Sequence, residues 1–200
     1  MVRVPDDLGA PLTLRSRAKA NRRQKLLKSA ARLFAERGFN RVSLEDLGAA
    51  AGVSGPAVYR HFDGKQAVLA ALLVGVSEDL FVGGQTVVAG ATGDEAALRS
   101  LIQFHVDFAL ANPDVIRVQD RDLDSLADAG RHTVRALQRN YVELWVEVLG
   151  RIQPKADTAA LRIRAHATFG LINSTPHSAR TRDTRQILEQ MALAGLTTAG

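Results

Sequence analysis

The chain of 200 residues contains no cysteine. This absence excludes disulfide bridges, zinc sites with thiolate ligands and cysteine nucleophiles. The sequence has no run of about 18 uncharged apolar residues, so we expect no helix that spans a membrane. Its N-terminus also lacks the apolar stretch of a secretion signal, and we therefore expect a cytoplasmic protein.

Aromatic residues are scarce, at 5% of the chain, and runs that alternate apolar and polar residues are short. Both features argue against β-strands. Apolar residues nevertheless make up 46% of the sequence, which is enough to bury a core. Because they recur at helical spacing over most of the chain, the sequence predicts an all-α protein.

Motifs of enzymes and metal sites are also missing. The sequence contains neither the H-E-x-x-H motif of zinc proteases nor the G-x-S-x-G motif of serine hydrolases. Asp120, Asp122 and Asp124 resemble the start of a calcium-binding loop. Ser125, however, stands where that loop needs glycine, and Arg131 where it needs glutamate. We therefore expect no enzymatic activity, no metal site and no cofactor.

The positive charge is concentrated in the N-terminal part of the chain. Residues 1–75 carry 13 Lys and Arg against 6 Asp and Glu, a net charge of +7. Residues 76–200 carry 13 Lys and Arg against 15 Asp and Glu, a net charge of −2. This asymmetry is typical of a polyanion-binding domain joined to a neutral one, although a solvated basic surface would produce it as well.

Residues 1–19 have no helical periodicity and contain two prolines, so they predict a flexible basic arm. A first helix is expected at 21–37. Ser43 and Asp46 form a capping-box pattern that begins a second helix, which ends at Gly52. Ser54 caps a short third helix that ends near Phe62, and Asp63 caps a fourth that runs to about residue 82.

Four glycines, at positions 83, 84, 90 and 93, predict a loop after the fourth helix. Five more helices follow, at about 94–112, 113–126, 128–152, 157–173 and 181–196. The resulting organisation is an arm over 1–19, a small helical domain over 20–65 and a larger helical domain over 66–200.

The run from Val42 to Leu73 contains two short capped helices joined by a glycine turn, an arrangement that matches a helix-turn-helix. Small residues at its start would let the backbone of the third helix approach base edges, and Arg60 could reach a guanine. Phosphates could be bound by hydroxyl and imidazole groups, by the free N–H groups of helix N-termini and by a lysine. The candidate DNA contacts are Ser43, Ser54, Gly55, Pro56, Ala57, Tyr59, Arg60, His61 and Lys65.

Two stretches, AARLFAERGFNRVSLEDLG and AAGVSGPAVYRHFDGKQAVLAALL, resemble the signature of TetR-type regulators. The resemblance covers about residues 22–75. It implies a three-helix DNA-binding domain, a helical ligand-binding domain and a homodimer joined by the helices at about 157–173 and 181–196. Its phosphate-contacting positions fall on Ser43, Ser54, Tyr59, His61 and Lys65, and its base-reading positions on Gly55, Pro56, Ala57 and Arg60. Many members carry Lys or Arg at the position of Gly55, so we expect Arg60 and the arm to take a larger share of base reading.

The C-terminal part offers large apolar side chains and a few polar ones on the predicted helices. Each apolar residue is compatible with an ordinary core, but together they suit a cavity for an apolar effector. The candidates are Phe104, His105, Phe108, Arg121, Tyr141, Trp145, Phe169 and Asn173. Residues 115–149 resemble regulators of acyl-CoA and sterol-ring breakdown, which implies an acyl-CoA thioester as the effector.

The sequence therefore predicts a homodimeric transcriptional repressor that binds a palindromic, double-stranded operator and is released by a small molecule. Two alternatives stay open at this stage. The first is a helical small-molecule-binding protein, or an activator, that carries the same N-terminal domain. The second is an architectural protein that binds DNA without sequence preference.

Overall fold

The computed structural model describes residues 14–177 and 181–198. Within these residues it contains nine α-helices and no β-strand, which confirms the predicted all-α fold. The helices are α1 (Leu14–Arg37), α2 (Leu44–Ala51), α3 (Gly55–Tyr59), α4 (Lys65–Ala89), α5 (Asp94–Ala111), α6 (Pro113–Asp122), α7 (Asp128–Ile152), α8 (Thr158–Ile172) and α9 (Thr184–Thr197).

The first helix begins earlier than the sequence pattern indicated. Helix α1 starts at Leu14, so residues 14–19 belong to it and not to a flexible arm. These residues read LRSRAK, a stretch without glycine or proline in which most residues favour helix, which explains the extension. The rest of the predicted arm, residues 1–13, lies outside the described residues.

Helices α1, α2 and α3 enclose a small core together with the first half of α4. Phe34, Phe39, Leu47 and Val58 are all buried in it, and the rings of Phe34 and Phe39 meet edge to face at a centroid distance of 5.4 Å. The same cluster continues into α4, α6 and α7 through Leu69, Leu73, Val115, Val118 and Val134. The N-terminal three-helix unit, called the head below, is therefore packed directly on the remaining helices, called the body.

Helix α4 continues through Gly83 and Gly84, so the loop predicted at these residues is wrong, and the turn comes only at Gly90. The two glycines let α4 pack closely against its neighbours. A Cβ on Gly84 would lie 2.6 Å from the Tyr141 ring of α7, and one on Gly83 would overlap the Phe104 ring of α5. The helix also begins at Lys65 after Gly64, so Asp63 is not its cap.

The body encloses a second core between α4, α5, α7, α8 and α9, in which Leu101, Trp145, Leu149, Ala165 and Leu196 are fully buried. Among the described helices, α4 has the length and composition of a membrane span. It carries two acidic residues, at positions 78 and 79, in its middle. It contributes buried side chains to the first core and partly buried ones to the second. We therefore interpret it as a core helix.

A pair of glycine substitutions in α4 tests this packing. We expect Gly84→Ala to lower the free energy of unfolding by about 1–3 kcal/mol, because the added methyl must displace the Tyr141 ring. Gly75, in the same helix, has no atom within 4 Å of an added Cβ. Gly75→Ala should therefore raise the free energy of unfolding, by up to about 1 kcal/mol of helix propensity. Urea unfolding at one protein concentration measures both, and equal effects of the two substitutions would contradict the packing.

Candidate nucleic-acid interface and effector cavity

The helix-turn-helix formed by α2 and α3 is held by an N-terminal cap on α2 and by two glycines. The Ser43 hydroxyl accepts from the backbone N–H of Asp46 at 3.0 Å, and the Asp46 carboxylate accepts from the Ser43 backbone N–H at 2.8 Å. These bonds also lower the pKa of Asp46. Gly52 ends α2 with a φ of 70°, in the left-handed region. A Cβ on Gly48 would lie 3.0 Å from the carbonyl oxygen of Val53 and 3.1 Å from the side chain of Val58, so a larger residue there would crowd both the turn and α3.

Helix α3 points outward with one face and is anchored by the other. Val58 and Phe62 are buried, whereas Pro56 and Arg60 are exposed and Tyr59 is 55% exposed. The start of α3 is also open. An added Cβ on Gly55 would meet no atom within 4 Å, Ala57 is only half-buried, and the exposed hydroxyl of Ser54 makes no capping bond. These groups are therefore accessible to a large partner such as a DNA groove.

The pKa of His61 reflects its burial and the positive charges around this surface. Its pKa is lowered, first by burial and then by the positive charges of Lys19, Arg22, Arg60 and Arg23. Its Nδ1 is buried and has no hydrogen-bond partner in the described part of the chain. The N-terminal half of α1 and the end of α3 thus form one positively charged surface, which favours a polyanion.

Lys65 is held inside the head. Its Nζ donates to the backbone carbonyl of Phe39 at 2.9 Å and lies 4.4 Å from the centre of the Phe39 ring. These contacts fix the short 3₁₀ turn at Phe39–Arg41 that precedes α2. A phosphate would have to compete with these contacts for the Lys65 ammonium group. The sequence pattern did not indicate that Lys65 is already bound within the head.

The body contains a cavity of about 200 Å³ between α4, α5, α6, α7 and α8. Five of the predicted effector residues line it, namely His105, Phe108, Tyr141, Phe169 and Asn173. Seven further lining residues were not predicted from the sequence, namely Ser77, Leu80, Ile116, Gln119, Gln138, Val142 and His166. Among these seven, only Ser77 could have been recognised from the sequence, because it is the single polar residue in the apolar run 67–77 of α4. The glutamines lie on helices whose polar residues mostly face solvent, so spacing alone does not distinguish them.

Three predicted effector residues lie elsewhere. Phe104 packs against Gly83, and Trp145 is fully buried beside Phe169, at a ring centroid distance of 5.0 Å. Arg121 lies at the C-terminus of α1, where it donates to the carbonyl of Ala35 at 3.3 Å and to that of Phe34. The last carbonyls of a helix have no partner within the helix and carry partial negative charge, which explains why a guanidinium binds there.

The centre of the cavity is an uncharged hydrogen-bonded group. Nδ1 of His105 is 3.3 Å from the Tyr141 hydroxyl, and its Nε2 is 3.2 Å from the side-chain carbonyl oxygen of Asn173. Burial lowers the pKa of His105 to about 4 and raises that of Tyr141, so both are neutral at pH 7. Because the Asn173 oxygen only accepts, Nε2 of His105 carries the proton, and the Tyr141 hydroxyl donates to Nδ1.

Comparison with known proteins agrees with both parts of the structure. Residues 26–72 match the family model for bacterial regulatory proteins of the tetR family. Residues 92–177 match the model for the tetracyclin repressor-like C-terminal domain. The chain belongs to the TetR family of transcriptional regulators. Proteins of the TetR family are regulators and not enzymes.

Several known proteins are similar to this chain over much of their length. The transcriptional repressor KstR2 of Rhodococcus jostii is 32% identical over 132 residues, which are 66% of this chain and 65% of that protein. The chain thus spans just under two thirds of this relative. A regulator from Bordetella parapertussis has the same fold, with a TM-score of 0.80 at 22% identity over 88% of this chain and 94% of that one. AibR, solved with isovaleryl coenzyme A and operator DNA, has a TM-score of 0.72 at 18% identity, over 86% and 96% of the chains.

Replacing His105 by glutamine should change the pH dependence of stability in this TetR-family protein. The pKa of His105 is about 4 in the folded chain against 6.5 as a model value, so the folded state binds fewer protons than the unfolded state between these values. Above about pH 7 the histidine is neutral in both states and does not affect the pH dependence. As the pH falls towards 4, the unfolded state binds a proton that the folded state does not, and the free energy of unfolding decreases by about 3 kcal/mol.

The comparison of wild type with His105→Gln cancels all other titrating groups. We expect the difference between their free energies of unfolding to fall between pH 7 and pH 4, as measured by urea unfolding at closely spaced pH values. Parallel curves for the two proteins would show that His105 is not buried in its neutral form.

Proposed function

We propose that this protein is a homodimeric repressor that binds a palindromic operator through α3 and releases it when a small apolar effector enters the body. The observation that carries the proposal is the outward face of α3, with Tyr59 and Arg60 exposed in a basic setting. An acyl-CoA thioester is the effector we expect. KstR2 is a repressor by name, and AibR was solved with an acyl-CoA and operator DNA.

In the proposed complex, one α3 of each protomer enters a major groove, and the two helices lie about 34–36 Å apart, one turn of DNA. Small residues at the start of α3 allow close approach, and Arg60 reads a base edge. The residues assigned to bases are Gly55, Pro56, Ala57 and Arg60, and those assigned to phosphates are Ser43, Ser54, Tyr59 and His61.

The proposed dimer interface is the outer face of α8 and α9. Ile163 on α8 is 69% exposed, and Ile187 and Met191 on α9 are 49% and 52% exposed. Exposed small residues lie on the same two helices, among them Ala167 and Gly195. A face with such large apolar side chains is unfavourable in water, and small residues allow helices to approach closely, which supports a second copy of the chain as its partner.

Helix α6 offers a route from the cavity to the head. Its Gln119 lines the cavity, and two residues later Arg121 binds the carbonyls at the end of α1. An effector that binds better to a shifted position of α6 would therefore also shift the population of head positions. DNA binding would weaken once the two α3 helices no longer match successive grooves.

Substitution of Arg60 tests the DNA contact. We expect Arg60→Ala to weaken specific binding about 10- to 100-fold, because a bidentate base contact is lost. Arg99→Ala removes the same charge from the exposed face of α5, far along the chain from the head, and should leave specific binding within about twofold.

The assay is footprinting on the DNA that flanks the protein's own gene, with affinities measured at fixed salt. A palindromic protected site and a high ratio of specific to nonspecific affinity are expected. A ratio near one for the wild type would instead identify an architectural DNA-binding protein.

Substitution of Arg121 tests the proposed coupling between effector binding in the body and DNA release by the head. Arg121→Ala should preserve binding of isovaleryl-CoA to the body but reduce the release of operator DNA that this ligand causes, because α6 no longer holds α1. Arg117→Ala is the matched control on α6, since Arg117 binds the Pro176 carbonyl within the body. Operator release by isovaleryl-CoA, titrated by fluorescence anisotropy, measures the effect. Equal release in both variants would contradict a route through Arg121.

A further inference from the structure

Three amide side chains from three different helices converge on the cavity of the body. Gln119 comes from α6, Gln138 from α7 and Asn173 from α8. Neither glutamine makes a side-chain hydrogen bond within the described part of the chain, and both are largely but not completely buried. Their donors and acceptors are therefore available to a bound molecule.

The amide of Asn173 has a defined orientation. Its oxygen accepts from Nε2 of His105 at 3.2 Å, so its nitrogen, with two N–H groups, is left for another acceptor. On the opposite side of His105 the Tyr141 hydroxyl is already used as a donor to Nδ1. The free hydrogen-bonding capacity at this point of the cavity is thus a donor, which suits a carbonyl oxygen.

Charged side chains are absent from the described lining of the cavity. None of the lining residues is Asp, Glu, Lys or Arg. At its centre His105 is neutral, because burial lowers its pKa to about 4. The other lining histidine, His166, is exposed to solvent and takes no part in the hydrogen-bonded group at the centre. An ionised carboxylate at the centre of the cavity would therefore lose its hydration without gaining a positive partner there, which is strongly unfavourable. An uncharged carbonyl group would meet amide donors instead.

Most of the remaining lining residues are apolar, and the volume of the cavity limits the size of the bound group. Phe108, Phe169, Leu80 and Ile116 are among these residues, and the volume is about 200 Å³. A dry apolar cavity of about 150 Å³ accommodates benzene in another protein, so this cavity suits a group of about six to eight heavy atoms. The nucleotide of a coenzyme A thioester would have to lie outside it.

We propose that the cavity selects an uncharged carbonyl group carried by a short, branched or cyclic apolar chain, as in a short acyl thioester, and rejects the corresponding free acid. Gln119, Gln138 and Asn173 are the specificity-determining residues, with their amide N–H groups donating to the carbonyl oxygen. This inference deepens the proposed function, because it defines the chemistry of the effector that the proposed repressor senses.

Trp145 provides the readout for a binding experiment. It is the only tryptophan of the chain, and its ring lies 5.0 Å from that of Phe169 in the cavity wall. The full-length protein is titrated at pH 8 with isovaleryl-CoA, with the uncharged N-acetylcysteamine thioester of isovaleric acid, with isovaleric acid and with coenzyme A alone. We expect both thioesters to change the fluorescence and to bind at least about tenfold more tightly than the acid, since a buried unpaired charge is unfavourable.

Two variants assign the carbonyl contacts. Gln119→Leu and Gln138→Leu should each weaken thioester binding about threefold to tenfold, the effect of one lost hydrogen bond between neutral groups. Gln103→Leu, at an exposed position of α5 outside the cavity lining, is the control and should bind as the wild type does. Melting temperatures of all variants confirm that each is folded.

The outcomes separate this inference from the proposed function. Equal affinities for the acid and the thioesters, or no response to any thioester, would overturn the inference, as would unchanged affinities of both glutamine variants. Binding of coenzyme A alone as tightly as of isovaleryl-CoA would overturn it too. In each case a palindromic footprint with the same preparation would leave the proposed operator binding intact. Selective thioester binding without any footprint would contradict the repressor and support the cavity chemistry.

Discussion

Helix α4 is the element on which the rest of the structure depends, because it belongs to both cores. Its first half buries Val68, Leu69 and Leu73 in the core of the head. Its second half can approach α5 and α7 only because Gly83 and Gly84 have no side chain. The same helix supplies Ser77 and Leu80 to the cavity. Any molecule that repacks the cavity therefore acts on a helix that also supports the DNA-binding surface.

The second connection between the two parts is polar and more local. Arg121 binds the last carbonyls of α1 and pairs at 3.0 Å with the buried carboxylate of Asp122. Hydrogen bonds of this kind have defined directions, whereas apolar contacts tolerate sliding. Two discrete positions of α6 would thus be distinguished by this contact. The shift of α6 proposed above would therefore have to break or remake this contact.

Local signals in the sequence were sufficient for most of the fold and for the exposed face of α3. The capping pair Ser43 and Asp46, the turn at Gly52 and the helix Asp128–Ile152 were all predicted and are observed. The glycines at 83 and 84 were misread, because a sequence does not distinguish a glycine that ends a helix from one that admits a neighbouring ring. Arg121 was assigned to the cavity for a similar reason: its partners are carbonyls 86 and 87 residues away.

The cavity shows why its chemistry could be recognised only in three dimensions. Aromatic residues at helical spacing indicate an apolar core, and five of the predicted residues do line the cavity. Gln119 and Gln138 line the same cavity although they belong to different helices, α6 and α7, and lie 19 residues apart in the sequence. The same cavity is lined by His105, which burial keeps neutral. A core that served stability alone would gain from apolar residues at these positions, so the unpaired amides support the proposal of a ligand that satisfies them.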